Sequence, residues 1–397
     1  MSSTRSTDPI GTTRLPDYAG NSIVNLMQSI ATACGSTQRR YHQLQALPAA
    51  KLGEARHIVL LVIDGLGQRT LERHPASPNL QRHAIGTMTS VFPSTTASAI
   101  TTFMTGLAPA QHGLTGWHMH MDEIDQTLAI LPLTPRCAPA KFLPEELPSR
   151  LFDHQSLFQQ LDRDCWVIAP LDIVGSPFNA WHSRGARSLA YNTIPEMFAQ
   201  LSTLLREAET PRYIYAYYPY LDSHSHSFGC ESKQALLNLA ALDTLFGNLL
   251  LDAKGSDTWL IATADHGFID SPPERVISLD QHPQLAALLT RPLCGERRAT
   301  YCYVSEDRRP AFESYVRQHL DHCVDLHRSS DLIDAGWFGP PPYHPRLASR
   351  IGDYTLVMKD DWTIKDRLPG ERHYPMLGVH GGISGAEMTV PLIAVRA

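Results

Sequence analysis

Three apolar runs in this chain each end in residues able to bind a cation. HIVLLVID closes at Asp64, YIYAYYPYLDSHSH carries Asp222 and His226, and TWLIATADHG carries Asp265 and His266. A fourth group, His380, lies in GVHGG close to the C-terminus. In an open parallel sheet, groups just past the carboxyl ends of different strands converge on one crevice, however far apart they lie in sequence. Acids and imidazoles gathered there away from water need partners, and two divalent cations would supply them. Taken singly the signals differ in strength. Asp64-Gly65 is equally a turn-forming pair. Adjacent Asp265 and His266 can address one ion from both sides of a turn. Asp222 and His226, four residues apart, can reach one ion from a helical turn, while His224 between them points elsewhere. The glycines around His380 sit where backbone must come close.

A second kind of chemistry is offered by SVFPSTTASAITTFMTGLAPAQHG. Ser94, Thr95 and Thr96 precede a short helical pattern whose apolar positions are Ala99, Ile100, Phe103 and Met104. Gly106 ends that pattern and Pro109 is expected to prevent its resumption. A hydroxyl at a helix N-terminus sits where backbone N–H groups and the positive dipole end favour an alkoxide and an incoming phosphate. Coordination to a cation would lower the hydroxyl pKa further. On its own, the segment reads better as N-cap and turn residues.

The elements that must position these groups follow from periodicity. Short runs rich in Val, Ile and Tyr recur at 57–63, 164–169, 212–219, 257–263, 299–304, 354–358 and 390–396, with helical patterns at 22–33 and 233–253. This alternation predicts an α/β fold with a mainly parallel sheet covered by helices on both faces. Residues 1–50 read as a tail and helix, and 51–271 with 379–397 as the α/β core. The Pro-rich, weakly periodic stretch 119–160 reads as an excursion over the sheet edge that roofs the site, and 272–378 as an insertion or smaller subdomain.

Composition narrows the classes. Among 397 residues, 34 Lys and Arg face 40 Asp and Glu, and a net charge of −6 gives no electrostatic case for nucleic acid or an anionic membrane. No uninterrupted apolar stretch reaches the ~20 residues of a membrane span, and the polar start lacks a signal-peptide pattern, so a soluble, unexported, cytoplasmic protein is expected. The seven cysteines are odd in number and scattered without a C-x-x-C pair, which suggests neither a disulfide framework nor a thiolate zinc site.

The order Asp64, FPSTT…TG, Asp222-x-x-x-His226, Asp265-His266-Gly267 and His380-Gly381-Gly382 resembles the alkaline phosphatase superfamily, in particular its type I phosphodiesterase/nucleotide pyrophosphatase branch. The resemblance runs from about residue 57 to the C-terminus, skipping the excursion and the insertion. It implies a three-layer α/β/α sandwich and two divalent metals. Asp64, Thr96, Asp265 and His266 would hold the first, and Asp222, His226 and His380 the second. Three Asp and three His favour zinc, with manganese the second choice and magnesium less suited to imidazole.

In the superfamily the nucleophile lies ten residues before the Gly of a T-G pair, and counting back from Gly106 gives Thr96. Thr95 and Ser94 are the fallbacks, since nucleotide pyrophosphatases place their Thr directly before F-P-N and here Val91 precedes Phe92-Pro93. A position that is neither Cys nor Ser disfavours sulfatase chemistry. The implied reaction is hydrolysis of a phosphodiester or pyrophosphate through a phospho-threonine intermediate. The expected partner is a small phosphoester, with nucleotides among the candidates, and the oligomeric state is left open.

One departure stands out. The residue five beyond His112 is typically an Asn that binds a phosphate oxygen, and here it is Trp117. A backbone N–H, Thr115 or His118 is the expected substitute, and Trp117, Tyr218 and Tyr220 could stack on a base or furnish apolar room. The alternatives are a phosphomonoesterase or phosphonate hydrolase on the same scaffold and, from another class, a non-catalytic metal-binding partner module. Residues 97–105 contain no basic side chain to meet a dianion, so diesters are expected to be preferred over monoesters.

Overall fold

The structure is a computed structural model, and it describes residues 12–136, 146–371 and 376–397. Cys137, the stretch 137–145 of the excursion and 372–375 of the insertion lie outside the described residues. The predicted α/β architecture is present. The run His57–Ile63 is buried at every position, as a strand covered on both faces must be. It lies at the centre of a seven-stranded sheet. Across that sheet the order is Ala84–Thr89, Thr389–Arg396, Thr258–Thr263, His57–Ile63, Arg212–Tyr218, Asp164–Pro170 and Arg187–Tyr191. The last five run parallel to one another, while Thr389–Arg396 pairs antiparallel with both of its neighbours.

Two strands of this sheet escaped the periodicity reading, Ala84–Thr89 and Arg187–Tyr191. Both are edge strands with exposed positions, so neither has the continuous apolar run of the centre. The helices expected near 22–33 and 233–253 form as Ile23–Ala33 and Lys233–Asp252. Lys233–Asp252 is long and apolar enough to cross a membrane by composition. Here it packs against Ile194–Arg206 and Pro78–Arg82. It also buries Asp243, whose carboxylate accepts from the Asn79 and Leu80 N–H groups at 3.2 and 2.8 Å.

A second sheet has seven antiparallel strands in the order Val324–Arg328, Tyr354–Met358, Ala299–Cys302, Cys294–Gly295, His118–Met121, Gln126–Ala129, Thr134–Pro135. The described start of the excursion therefore joins the strands of the 272–378 region in one sheet, a role its weak periodicity concealed. The helix after the hydroxyls spans Thr96–Thr105 and ends on Gly106, whose φ of 73° is the left-handed conformation glycine adopts most easily. Pro109 does not stop the chain from turning again. It opens the short helix Pro109–His112 from a first-turn position, where its missing N–H costs nothing.

Candidate metal centre and its cavity

The strands that precede Asp64, Asp222 and Asp265 are immediate neighbours in the main sheet. Ile63 lies opposite Tyr218, and Val62 opposite Thr263. Adjacent parallel strands of matched register end together, so the carboxylates that follow them share one edge of the sheet. Ligand atoms of Asp64, Asp265 and His266 all lie within 4.8 Å of one another, and so do those of Asp222, His266 and His380. His226 completes the second group. It stands one turn after Asp222 on the helix Tyr220–Phe228, with its Nε2 at 3.3 Å from Asp222 Oδ1 and 3.3 Å from His380 Nε2. All six candidate protein ligands are thus brought to one place.

The hydrogen bonds fix how these rings present themselves. His226 Nδ1 donates to the Gly378 carbonyl at 2.8 Å, His266 Nδ1 to that of Gly267 at 3.1 Å, and His380 Nδ1 to that of Ser94 at 3.1 Å. A carbonyl oxygen can only accept, so in each neutral ring Nδ1 carries the hydrogen and Nε2 keeps its lone pair. The facing Nε2 atoms of His226 and His380 then repel unless a cation lies between them. The acids are arranged in the same way. Asp64 Oδ2 accepts from the Tyr217 hydroxyl, and Asp265 Oδ1 accepts from the N–H groups of Gly65 and His266 at 3.0 Å each. The remaining atoms Asp64 Oδ1, Asp265 Oδ2 and Asp222 Oδ1 are buried without a hydrogen-bond partner.

His266 Nε2 lies 3.3 Å from both Asp64 Oδ1 and Asp265 Oδ2. Ligands held at ~2.1 Å around one tetrahedral ion stand roughly 3.4 Å apart, so this donor set fits divalent cations. Burial, and then the charges of Asp265 and Asp222, push the Asp64 carboxyl well above its usual range. Burial raises Asp265 as well, and burial with the nearby His266 and His226 holds His380 far below the ordinary imidazole value. Each shift expresses the cost of burying ionisable groups close together.

The three hydroxyls separate by their partners. Ser94 donates to the Gly382 carbonyl at 2.7 Å, and Thr95 donates to Glu296 Oε1 at 2.6 Å. Thr95 occupies the N-cap position but makes no side-chain cap bond, contrary to the capping role its place suggested. Thr96, the first residue of the helix, aims Oγ1 at His266 Nε2, 3.2 Å away. His224 stays apart, with Nδ1 turned to the Tyr220 carbonyl.

Beside this cluster opens a cavity of about 530 Å³, whose lining includes Thr96, Trp117, Asp222, His226, Glu296 and His380. Glu296 had escaped the sequence reading. It sits in the turn between Cys294–Gly295 and Ala299–Cys302 and accepts the Trp117 N–H at 2.7 Å. The Trp117 N–H is therefore already engaged by a carboxylate. Burial pushes the Glu296 carboxyl up to about 7. The charged ERR triplet interrupting LCGERRATYCYV was the available signal for this turn. Thr115 is buried away from the cavity, while His118 lines it. Tyr218 and Tyr220 do not line the cavity. Tyr218 is buried, and its hydroxyl accepts from the Asn238 amide at 2.7 Å. Apolar room comes instead from Trp117, Leu293, Ile364, Met376 and Val379.

The His380 loop is tied to the second sheet. Gly381 has a φ of 108°, and a Cβ on it would meet Glu296 Cβ at 2.7 Å. Arg298 and Glu387, both buried, pair at 2.9 Å, and Glu387 accepts the Gly382 N–H at 2.8 Å.

A mainly parallel sheet that gathers carboxylates and imidazoles at adjacent strand ends defines a class of α/β protein with a candidate cation site at its carboxyl edge. Within that class, the chain belongs to the type I phosphodiesterase / nucleotide pyrophosphatase family, which matches residues 58–130 and 166–383. It is 23% identical over 319 residues to an uncharacterized pyrophosphatase/phosphodiesterase of Schizosaccharomyces pombe, an alignment covering 73% of this chain and 60% of that protein's length. Its fold resembles murine ectonucleotide pyrophosphatase/phosphodiesterase 5, with a TM-score of 0.62 at 17% identity over 85% of this chain and 87% of the other. It also resembles the phosphonoacetate hydrolase of Sinorhizobium meliloti 1021 in complex with phosphonoformate, with a TM-score of 0.60 at 19% identity over 86% and 90%.

Proposed function

We propose that the chain hydrolyses phosphodiester or pyrophosphate bonds with two divalent cations, zinc by preference, through a phospho-threonine intermediate at Thr96. The observation that carries this reading is the set of three Nδ1-anchored histidines whose Nε2 atoms converge with three partnerless carboxylate oxygens. Asp64, Thr96, Asp265 and His266 would hold one cation, and Asp222, His226 and His380 the other. Bound there, the cations would supply Lewis acidity toward phosphoryl oxygens and lower the pKa of an oxygen nucleophile. Three carboxylates against four positive charges leave one positive charge for the phosphoryl group.

The chain's own residues do the rest. Thr96 Oγ1 attacks phosphorus, the bond to the leaving oxygen breaks, and water later cleaves the phospho-threonine. The free N–H groups at the start of Thr96–Thr105 favour the developing charge. The carbonyls of Gly378, Gly267 and Ser94 hold the histidine rings in one orientation, the usual role of partners behind ligating imidazoles. The AMP complex of an inactive threonine-to-alanine form of the murine relative supports a threonine nucleophile and a nucleotide-like substrate. Trp117 in place of Asn favours keeping phosphonate hydrolysis as the second reading, as does the likeness to phosphonoacetate hydrolase. The proposed location is the cytoplasm. The test is turnover of bis(p-nitrophenyl) phosphate that disappears on chelation and returns with zinc. Full activity in protein shown metal-free by elemental analysis would overturn the reading.

A further inference from the structure

The cavity has two unlike ends. Toward the strand ends it is acidic, and Glu296 adds a carboxylate that uses up the Trp117 N–H. Away from them it is lined by Arg136, Arg297, Lys365 and Arg367, against Asp366 and Glu371. These cations are not equivalent. Arg136 is spent, since it pairs with Asp366 and with Glu371 at 2.6 Å each and donates to the Leu293 carbonyl at 2.7 Å. Both acids of this wall are thereby held by Arg136. Lys365 and Arg367 form no ion pair with any described residue.

Backbone geometry brings Lys365 to the Glu296 turn. The Ile364 N–H donates to the Arg297 carbonyl at 3.0 Å, and Thr363–Lys365 is held in register by Val276–Ser278. Burial, then the neighbouring Arg297 and Arg367, lower the Lys365 pKa, with Asp280 opposing them. Neighbouring like charges such as those of Lys365 and Arg367 are relieved by an anionic ligand.

We propose that this wall binds a second anionic group, a phosphate or carboxylate, borne by the substituent of the phosphodiester cleaved at the metal end. The inference rests on the diesterase reading and adds the substrate class, a diester with a further acid on one arm. A cavity of about 530 Å³ accommodates a nucleotide-sized molecule. Lys365 and Arg367 would engage the second acid through charge-assisted hydrogen bonds.

The test uses the zinc-loaded full chain and compares kcat/KM for thymidine 5′-(p-nitrophenyl phosphate), its 3′-phosphorylated form and its 3′-succinyl form. The phosphorylated or succinylated diester is expected to be favoured about tenfold over the parent, and the better of the two identifies the acid. In K365Q/R367Q that ratio should fall below about threefold. The ratio is internal to each protein, so partial loss of folded enzyme does not affect it. Calorimetric titration with thymidine 5′-monophosphate and thymidine 3′,5′-bisphosphate reads the same wall without turnover, and the bisphosphate should bind about tenfold tighter in the wild type alone. Equal kcat/KM for all three diesters, or an advantage that survives K365Q/R367Q, overturns the inference and leaves the diesterase reading intact. Absence of any diester turnover overturns the diesterase reading, and the calorimetric comparison then decides the anion wall by itself.

Discussion

Two walls face one cavity, and they are built on opposite plans. The floor stands at the ends of three adjacent parallel strands and is buried, and its three histidines are anchored by backbone carbonyls. The opposite wall hangs on a hairpin turn of the antiparallel sheet and on Thr363–Lys365, a three-residue strand paired in parallel with Val276–Ser278, carries mixed charge and is partly open to solvent. Groups that carry out a reaction must be held to fractions of an ångström, which a rigid sheet edge provides. Groups that select a substrate can sit on turns and vary. The division predicts that damage to the floor abolishes the reaction, while damage to the wall redirects it.

The largest effect is expected at Thr96. Thr96→Ala should lower kcat by about a thousandfold or more, ~4 kcal/mol of transition-state stabilisation, with metal content by elemental analysis largely retained. Thr95→Ala, which removes a bond to the wall, should cost far less. Comparable losses in the two variants would break the division between floor and wall.

Metal removal comes next. Saturating cation at about a hundred times its dissociation constant should stabilise the fold by ~2.7 kcal/mol, read as a fall in melting temperature on chelation. The sign follows from Asp64 and Asp265, which repel each other when no cation lies between them. An unchanged melting temperature would mean that the floor tolerates its crowded charges without cations.

A smaller effect concerns the support beneath the floor. His112 reaches Thr102 of the helix Thr96–Thr105 at 3.4 Å, and His154 meets His182 at 2.9 Å. Burial lowers all three histidines, His182 to about 4. Their folded-state values lie below their unfolded ones, so the unfolded chain takes up protons first. Stability is then full above the ordinary imidazole range near 6.5 and is lost as pH falls toward about 4, at ~1.4 kcal/mol per pH unit for each such histidine. The change in denaturation midpoint between pH 7 and 5.5 should differ between the metal-free wild type and His154→Gln, with the wild type losing more, and identical changes in the two proteins would contradict it.

The smallest predicted change lies on the wall. Glu296→Gln removes a carboxylate beside the phosphoryl site, so kcat/KM for p-nitrophenyl phosphate relative to the diester should rise about fivefold, ~1 kcal/mol. A fall in that ratio would show that Glu296 assists dianionic substrates instead.

The same contrast explains what could be read before the structure. The central strands are continuous apolar runs because both faces are covered, and Asp64, Asp265 and, within the next helical turn, Asp222 follow such runs, so these three announce themselves. Edge strands such as Arg187–Tyr191 carry no such pattern. Glu296 and Lys365 become neighbours through the Ile364–Arg297 backbone bond, a long-range pairing with no local signature. The orientation of the histidine rings was equally hidden, because it depends on the carbonyls of Gly378, Gly267 and Ser94. Tyr218 looked available at a strand end, yet the parallel neighbours bury it.

The most direct test of the account is to quench the zinc-loaded protein in acid during turnover of a p-nitrophenyl diester and map the phosphorylated peptide by mass spectrometry. Phosphate on Thr96 is the predicted result. Phosphate on Thr95, or an active protein never phosphorylated at Ser94, Thr95 or Thr96, would contradict it.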